Sequence, residues 1–160
     1  MSLEVNFNIV KQSSLGDEMD EAECQQIASI MQAKQLKDGE ILVPEGGSDN
    51  TLYLLAEGSL VVTTNLRGTE KLVYTMKPGE CAGTRAFVDK APRKATLRAN
   101  GPTVVYSLQP DPFETLLDSA PKAVYKVMRA IFRITHANLM RMNQESEALA
   151  NYISKSGGRF

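Results

Sequence analysis

The residues best placed to do chemistry lie in one stretch of 21, "GECAGTRAFVDKAPRKATLRA", from Gly79 to Ala99. Two of its arginines, Arg85 and Arg93, stand among glycine, alanine and threonine, which let a backbone approach a ligand closely. A guanidinium offers a planar fork of N–H donors that matches the oxygens of a phosphate or carboxylate. The stretch therefore predicts an anion-binding pocket.

No comparable set of residues points to catalysis or to a metal. His136 is the single histidine, and the chain carries no CxxC pair, HExxH, GxSxG or P-loop motif. Cys24 and Cys81 lie far apart in sequence, and we interpret them as buried thiols of a cytoplasmic protein. We expect a non-catalytic protein with no metal and no required cofactor.

The elements that must position the arginines have the pattern of short strands. From Ala33 to about Leu108, apolar stretches alternate with glycine-containing turn signals every 8–12 residues. The stretches are "EILVP", "TLYLLA", "SLVVTT", "KLVYTM", "ATLRA" and "TVVYSL". Their β-branched and aromatic residues favour a β-sandwich or barrel over a parallel α/β sheet.

Helical patterns flank the strands on both sides. Residues 16–32 predict an acidic amphipathic helix, capped by Asp17 or Asp20. Its apolar positions are Met19, Cys24, Ile27, Ile30 and Met31. Residues 111–120 predict a short helix whose inward-facing residues are Phe113, Leu116 and Leu117.

A long helix is expected from Pro121, because no proline or glycine interrupts the next 30 residues. Apolar residues recur along it with the 4-3 spacing of a coiled-coil seam, Thr135 and Ser146 filling the missing steps. The seam residues are Met128, Phe132, Leu139, Met142, Leu149 and Ile153. We expect Val124 to Phe132 to lie on the β domain and the rest to form a homodimer contact.

The charges are distributed unevenly, although the formal net charge is −1. Residues 1–50 carry ten acidic and three basic side chains, and residues 121–160 carry two acidic and seven basic ones. Five bases recur along the long helix: Lys122, Lys126, Arg129, Arg133 and Arg141. We interpret them as a solvated face partly paired with the acidic N-terminal helix, rather than as a nucleic-acid surface.

The order of these elements resembles the cyclic nucleotide-binding domain of the catabolite activator protein family and of kinase regulatory subunits. The resemblance covers roughly residues 13–142. Gly39, Gly46 and Gly58 match turn glycines, and Tyr53 matches an aromatic residue of the third strand. It implies a mainly β fold with flanking helices, a jelly-roll-like barrel (double-stranded β-helix) with an N-terminal helix and a long C-terminal helix.

The stretch from Gly79 to Ala99 resembles the family's phosphate-binding cassette, a glycine turn followed by a P-R-x-A-T sequence. Matching positions are Gly83, Ala86, Phe87, Pro92, Arg93, Ala95 and Thr96. The resemblance implies that Arg93 binds the exocyclic phosphate oxygens of cAMP or cGMP. A surface ion pair of Arg93 with Asp89 or Glu80 is the structural alternative.

Thr84 departs from the family pattern, in which the residue after the cassette glycine is usually a glutamate that binds the ribose 2′-hydroxyl. The threonine hydroxyl is shorter and uncharged. Loss of this carboxylate makes the pocket net positive, and Arg85 adds to that charge. Three outcomes fit: weak binding of a cyclic nucleotide, preference for another anion, or an empty dimerisation scaffold.

The resemblance also implies that side chains of the long helix close over the base. Thr135 and Asn138 are the polar residues in its apolar run, although Asn138 also suits a register-setting position of a coiled coil. The candidate ligand-binding residues are therefore Gly83, Thr84, Arg85, Ala86, Arg93, Lys94, Ala95, Thr96, Thr135 and Asn138. Strand alternation directs the side chain of Lys94 to solvent.

We divide the chain into a β domain with its N-terminal helix, residues 1–120, and a lid and dimerisation helix with a tail, residues 121–160. In transcription-factor members of the family a helix-turn-helix domain follows the long helix, and residues 121–160 contain no candidate for one. Direct DNA binding by these 160 residues is not expected, unless a downstream domain was removed, and neither is membrane association. The expected partners are a phosphate-bearing small molecule and a second copy of the chain.

Overall fold

Eight strands and five helices make up the part of the chain that the structure describes. The computed structural model describes residues 3–157, with side chains through residue 154, and the tail predicted beyond residue 157 lies outside the described residues. In chain order the elements are α1 (Phe7–Gln12), α2 (Glu21–Ala28), β1 (Gln32–Leu36), β2 (Ile41–Val43), β3 (Leu52–Glu57), β4 (Leu60–Leu66), β5 (Thr69–Met76), β6 (Cys81–Ala82), α3 (Thr84–Asp89), β7 (Thr96–Ala99), β8 (Thr103–Leu108), α4 (Pro110–Ser119) and α5 (Pro121–Gly157).

The strands form two antiparallel four-stranded sheets, in the orders β1-β8-β3-β6 and β2-β7-β4-β5. The hydrophobic cluster between them, which we call the roll core, takes residues from both sheets, Tyr53 and Leu55 from one and Leu60 and Leu97 from the other. A second cluster lies between the outer face of the first sheet and the helices. This arrangement confirms the predicted mainly β, jelly-roll-like fold with flanking helices.

All six predicted apolar stretches form strands, in β2, β3, β4, β5, β7 and β8. Strands β1 and β6 were not among them. The sequence of β1, "QAKQL", is mostly polar because β1 lies at a sheet edge and exposes three of its five residues. Strand β6 has only two residues, too few to show a period.

The helix predicted over 16–32 is shorter in the structure. Asp20, and not Asp17, caps α2, because its carboxylate and that of Glu23 form a reciprocal capping box. Met19 precedes the helix and Met31 follows it, yet both are buried in the core. Helix α1, capped by Asn6, was not predicted.

Leu117 corrects the expectation for α4. Phe113 is buried and Leu116 packs against the same cluster, but Leu117 is 54% exposed. At 3.6 residues per turn, Leu117 lies beyond Phe113 on the side away from Leu116. The buried stripe is therefore narrower than the sequence pattern indicated.

Helix α5 has 37 residues, which at 1.5 Å each is about 55 Å. Its first half packs against the core through Val124, Val127 and Ile131, as expected, but Phe132 is 71% exposed and points away from it. Among the described residues, no helix combines the length and apolar character needed to cross a lipid bilayer.

The predicted pairing of the basic helix with the acidic N-terminal region is confirmed. Lys126 Nζ is 2.7 Å from Glu23 Oε1, and Arg129 Nε is 2.8 Å from Glu18 Oε2. Arg133 also reaches Glu18, at 3.4 Å. These ion pairs join the first half of α5 to the segment around α2.

The two cysteines are buried free thiols, as predicted. Burial raises the pKa of Cys81 to about 12, so its thiol stays protonated. Within residues 3–157, no three acidic, histidine or cysteine side chains cluster as a metal site.

Candidate functional site

The candidate site begins at the turn between β6 and α3. Gly83 has φ +91°, a left-handed conformation that glycine adopts without strain, and it precedes the first residue of α3, Thr84. The first intrahelical donor is the Phe87 N–H, which binds the Gly83 carbonyl at 2.9 Å. The N–H groups of Thr84, Arg85 and Ala86 therefore come before the helical hydrogen bonds and are suited to an anion.

Arg93 lies in the loop before β7, and its backbone is fixed by the loop after β2. The Gly46 N–H donates to the Arg93 carbonyl at 2.8 Å, and the Arg93 N–H donates to the Gly47 carbonyl at 3.0 Å. These two bonds direct the side chain inward. Arg93 is only 6% exposed, although it carries a charge.

The guanidinium of Arg93 packs against Gly83. A Cβ built on Gly83 would clash with Nη1 of Arg93 and lie 3.0 Å from the Thr51 carbonyl oxygen. Arg93 Nη2 donates to that same carbonyl at 2.6 Å. Glycine is therefore needed at position 83 both for its backbone conformation and for the space that Arg93 occupies.

Asp49 is the carboxylate nearest to Arg93, with Oδ2 3.7 Å from Nη2. The Thr51 hydroxyl donates to Asp49 Oδ1 at 2.7 Å and the Tyr53 hydroxyl donates to Oδ2 at 2.6 Å. Partial burial alone would raise the pKa of Asp49, but these hydrogen bonds and the charge of Arg93 together lower it. Burial, with the bond to Asp49, raises the pKa of Tyr53 to about 12.

Asp49 corrects two expectations about Arg93. Arg93 pairs with neither Asp89 nor Glu80, because Asp89 binds Arg85 at 3.2 Å and Glu80 accepts hydrogen bonds from Tyr74 and Lys77. The pocket is also not left without a negative charge by the threonine at position 84, since Asp49 supplies one. The sequence signal for Asp49, an acid in the turn "SDN", does not distinguish it from other turn residues.

The Nε–H of Arg93 is buried and has no hydrogen-bond partner among the described residues. Burial lowers the pKa of Arg93, while Asp49 opposes that effect. A buried cationic donor without a partner costs stability, and an oxygen of an anionic ligand would satisfy it.

Thr84 contacts the lid helix. Its hydroxyl oxygen lies 2.9 Å from that of Thr135 in α5, and the Thr135 hydroxyl also lies 2.8 Å from the Ile131 carbonyl oxygen. The side chain of Thr84 is buried. The cassette and α5 are therefore linked by a direct hydrogen bond between the two predicted threonines.

The other candidate residues divide into a group that is at least half-buried and a group that is exposed. Ala86 is buried in α3, and Ala95 and Thr96 are half-buried, the Thr96 hydroxyl accepting a bond from the Glu45 N–H at 3.0 Å. Lys94 and Asn138 are exposed.

Arg85 belongs to the exposed group. Its side chain is 68% exposed and forms an i,i+4 ion pair with Asp89. The expectation that Arg85 adds charge to the pocket is therefore wrong, because the guanidinium is directed to solvent.

A cavity of about 290 Å³ adjoins the site at Thr51 and Tyr53. Gln32, Lys34 and Ser107 complete much of its polar lining, and no residue of 83–96 borders it. The cavity therefore meets the candidate site only at Thr51 and Tyr53, which contact Asp49 and Arg93.

Comparison with known proteins places this geometry in a family. The family model for the "Cyclic nucleotide-binding domain" matches residues 33–120, more than half of the chain. A cGMP-dependent protein kinase of Eimeria tenella is 28% identical over 106 residues, which cover 66% of this chain and 10% of the kinase. The chain spans less than a third of the curated relatives that it matches first.

Two solved structures have the same fold. A cyclic nucleotide-binding domain from Methylobacillus flagellatus superposes with a TM-score of 0.78 at 23% identity, covering 87% of this chain and 79% of that one. The regulatory domain of Toxoplasma gondii PKA, crystallised with cAMP, superposes with a TM-score of 0.62 at 29% identity, covering 72% and 45%.

Proposed function

Because the chain belongs to the cyclic nucleotide-binding domain family, we propose that it is a non-catalytic sensor that binds cAMP or cGMP at Gly83–Thr96. The buried, unpartnered Nε–H of Arg93 carries this proposal. It is a cationic donor beside a glycine turn with early helical N–H groups, and a phosphate oxygen matches both. The names of the relatives, a cGMP-dependent kinase and a PKA domain with cAMP, support the ligand class.

The charges of the site favour a ligand with one negative charge. Arg93 is the buried cation, and Asp49 at 3.7 Å already offsets part of its charge. The other two basic candidate residues of the cassette, Arg85 and Lys94, are exposed. A cyclic phosphate diester carries a single charge, whereas a phosphate with more charges would leave a buried excess.

Signalling would pass through the hydrogen bond between Thr84 and Thr135. A ligand at the cassette reaches the residue that α5 also contacts, so occupancy changes the balance between placements of α5. Helix α4, which precedes α5 and packs against the same cluster, would move with it. The division into a sensing unit, 1–120, and a lid and dimer unit, 121–160, is part of this proposal.

The distal half of α5 would pair with a second copy of the chain. Beyond Thr135 the seam residues are exposed, and no described element covers them. They are Leu139, Met142, Leu149 and Ile153. A helix with an apolar stripe of this length is stabilised by burying it in a homodimer.

A ligand-free scaffold is the second candidate, and one observation favours it. The hydroxyl of Thr84 already bonds to Thr135, so the lid helix is held on the cassette without a ligand. In that case the domain serves only to present α5 for dimerisation.

Calorimetric titration of the purified protein with cAMP and cGMP separates the two candidates. The sensor requires binding at micromolar or tighter affinity that an Arg93→Ala variant loses, by on the order of 2–5 kcal/mol. Arg85→Ala is the matched control, since this cassette arginine is exposed and should leave affinity unchanged. Absence of heat at millimolar nucleotide would reject the sensor and leave the scaffold.

A further inference from the structure

The cavity of about 290 Å³ beside Thr51 and Tyr53 lies on the inner face of the first sheet. Gln32 pairs with Ser107 in the ladder between β1 and β8, and Ser107 pairs with Tyr53 in the ladder between β8 and β3. Residues paired across antiparallel strands have their side chains on the same face. Because Tyr53 belongs to the roll core, the whole row faces inward.

Along β1 this inner face changes from apolar to polar. Leu36 is buried in the roll core, and Lys34 and Gln32 lie two and four residues before it, so they share its face. Both are exposed, and both line the cavity. The wall of the cavity, as far as the structure describes it, includes no strand of the second sheet. The cavity is therefore a cleft over the polar end of one sheet.

Lys34 gives this cleft its charge. Among the described residues that line the cleft, it is the one with a charged side chain. Its ammonium group forms no hydrogen bond or ion pair with any residue that the structure describes, and neither do the side-chain amides of Gln32 and Gln109. Ser107 adds a hydroxyl to the same wall. A lone cation among neutral polar groups is suited to an organic anion with one charge.

The start of α4 makes the cleft better suited to a carboxylate than to a phosphate. Gln109 is the N-cap of α4, and Pro110 and Pro112 occupy two of the first three helical positions. Proline has no backbone N–H, so this helix start lacks the row of donors that binds phosphate elsewhere. A phosphate monoester also carries close to two charges at neutral pH, whereas Lys34 supplies one.

The cleft is distinct from the cassette, although the two are neighbours. No described residue of 83–96 lines it. Arg93 donates to the Thr51 carbonyl and lies over the Tyr53 ring, and these two residues form the part of the wall that both sites contact. An anion in the cleft would pair with Lys34 and not with Arg93.

We propose that this cleft is a second binding site, which takes a small organic carboxylate. Lys34 pairs with the carboxylate, and the amides of Gln32 and Gln109 with the Ser107 hydroxyl bind its oxygens and any polar substituent. A volume of about 290 Å³ is at the lower limit of ordinary ligand pockets, which suits a molecule smaller than a nucleotide. The inference goes beyond the proposed function and does not depend on it.

The test uses benzoate as the probe, benzamide as its uncharged counterpart and inorganic phosphate as the competing anion. In ¹⁵N–¹H spectra of the whole chain, benzoate should shift the side-chain amide signals of Gln32 and Gln109. The shifts should saturate with a dissociation constant of about 1 mM or tighter. Benzamide and phosphate at the same concentrations should leave both signals unchanged, since one lacks the charge and the other does not match the donors.

Lys34→Met should weaken benzoate binding about tenfold, because it removes a charge-assisted hydrogen bond and keeps the length of the side chain. Lys37→Met is the matched control, since Lys37 is exposed in the adjoining turn and does not line the cleft, and it should leave binding unchanged. Lys34 is exposed, so neither change should disturb the fold.

Equal weakening by the two variants, equal shifts with benzamide, or tighter binding of phosphate would each overturn the inference. So would saturation with benzoate that leaves the signals of Gln32 and Gln109 in place. Nucleotide binding at Arg93 is measured separately. Benzoate bound at Lys34 in a protein that binds no nucleotide would support this inference while the proposed function fails, and the reverse pair of results would overturn this inference alone.

Discussion

The hydroxyl oxygens of Thr84 and Thr135 lie 2.9 Å apart, which joins the first residue of the cassette helix to the lid helix. In the family pattern position 84 is usually an acidic residue directed at the ligand. Here it instead bonds to the element that would report occupancy. The threonine therefore gives up a carboxylate that would bind the ribose, and in exchange it holds the lid helix α5 against the cassette.

Restoring the carboxylate tests this trade. Thr84→Glu should tighten cyclic nucleotide binding about 10- to 100-fold, because a hydrogen bond to a charged acceptor contributes about 1.5–3 kcal/mol. Calorimetry measures the change, and the 2′-deoxy nucleotide is the control, since it lacks the hydroxyl that the carboxylate would bind. An equal gain for the 2′-deoxy nucleotide would contradict this explanation.

Gly83 should tolerate alanine less well than other glycines with positive φ. Gly83→Ala adds a Cβ that clashes with Arg93 Nη1, whereas a Cβ at Gly68, φ +83°, meets nothing within 4 Å. Both changes impose left-handed strain of about 1–2 kcal/mol, and only the first adds a packing clash of about 1–3 kcal/mol. Urea unfolding of the two variants measures the difference, and equal losses would show that Arg93 does not occupy this space.

Glu18 should make folding stability depend on pH in a defined window. Its bond to Arg129, with the charges of Arg129 and Arg133, lowers its pKa from 4.5 to about 2. A lowered folded-state pKa stabilises the fold above pH 4.5, and this contribution is lost as the pH falls toward 2.

Thermal unfolding of wild type and Glu18→Gln across that range gives the readout. The melting temperatures should differ near pH 6 and converge toward pH 2. Glu57→Gln is the control, because Glu57 is exposed and forms no ion pair with any residue that the structure describes. A difference independent of pH would mean that packing, and not charge, links α5 to the N-terminal segment.

The distal seam of α5 should set the oligomeric state. Leu139→Glu with Leu149→Glu places charges in the proposed dimer contact, so light scattering should fall from twice 17.6 kDa to a single chain mass. Leu66→Glu, on an exposed residue of β4, should have no effect. A wild type that is already monomeric at micromolar concentration would contradict the dimer.

The strands and the long helix could be predicted because their signals are local. The β-branched stretches and the uninterrupted helical run depend on neighbouring residues. Leu117 and Phe132 were misplaced because residues at i and i+4 need not share the buried stripe when the contacting surface is narrow.

The site was only partly predictable, for a different reason. Gly83 and Arg93 stand in one motif, but Asp49 lies 44 positions before Arg93 and Thr135 lies 51 after Thr84. Contacts of this separation follow from how the sheets close. No pattern in one sequence shows which turn acid will face which arginine.

The most direct test of the central claim is the ¹⁵N–¹H signal of Arg93 Nε, assigned with Arg93→Lys, during titration with cGMP and cAMP. This buried donor has no hydrogen-bond partner within the range 3–157 that the structure describes. The account predicts a downfield shift of its proton that saturates with the calorimetric dissociation constant, because a phosphate oxygen becomes its acceptor. A nucleotide that binds while this signal stays unchanged would contradict the phosphate site at Arg93.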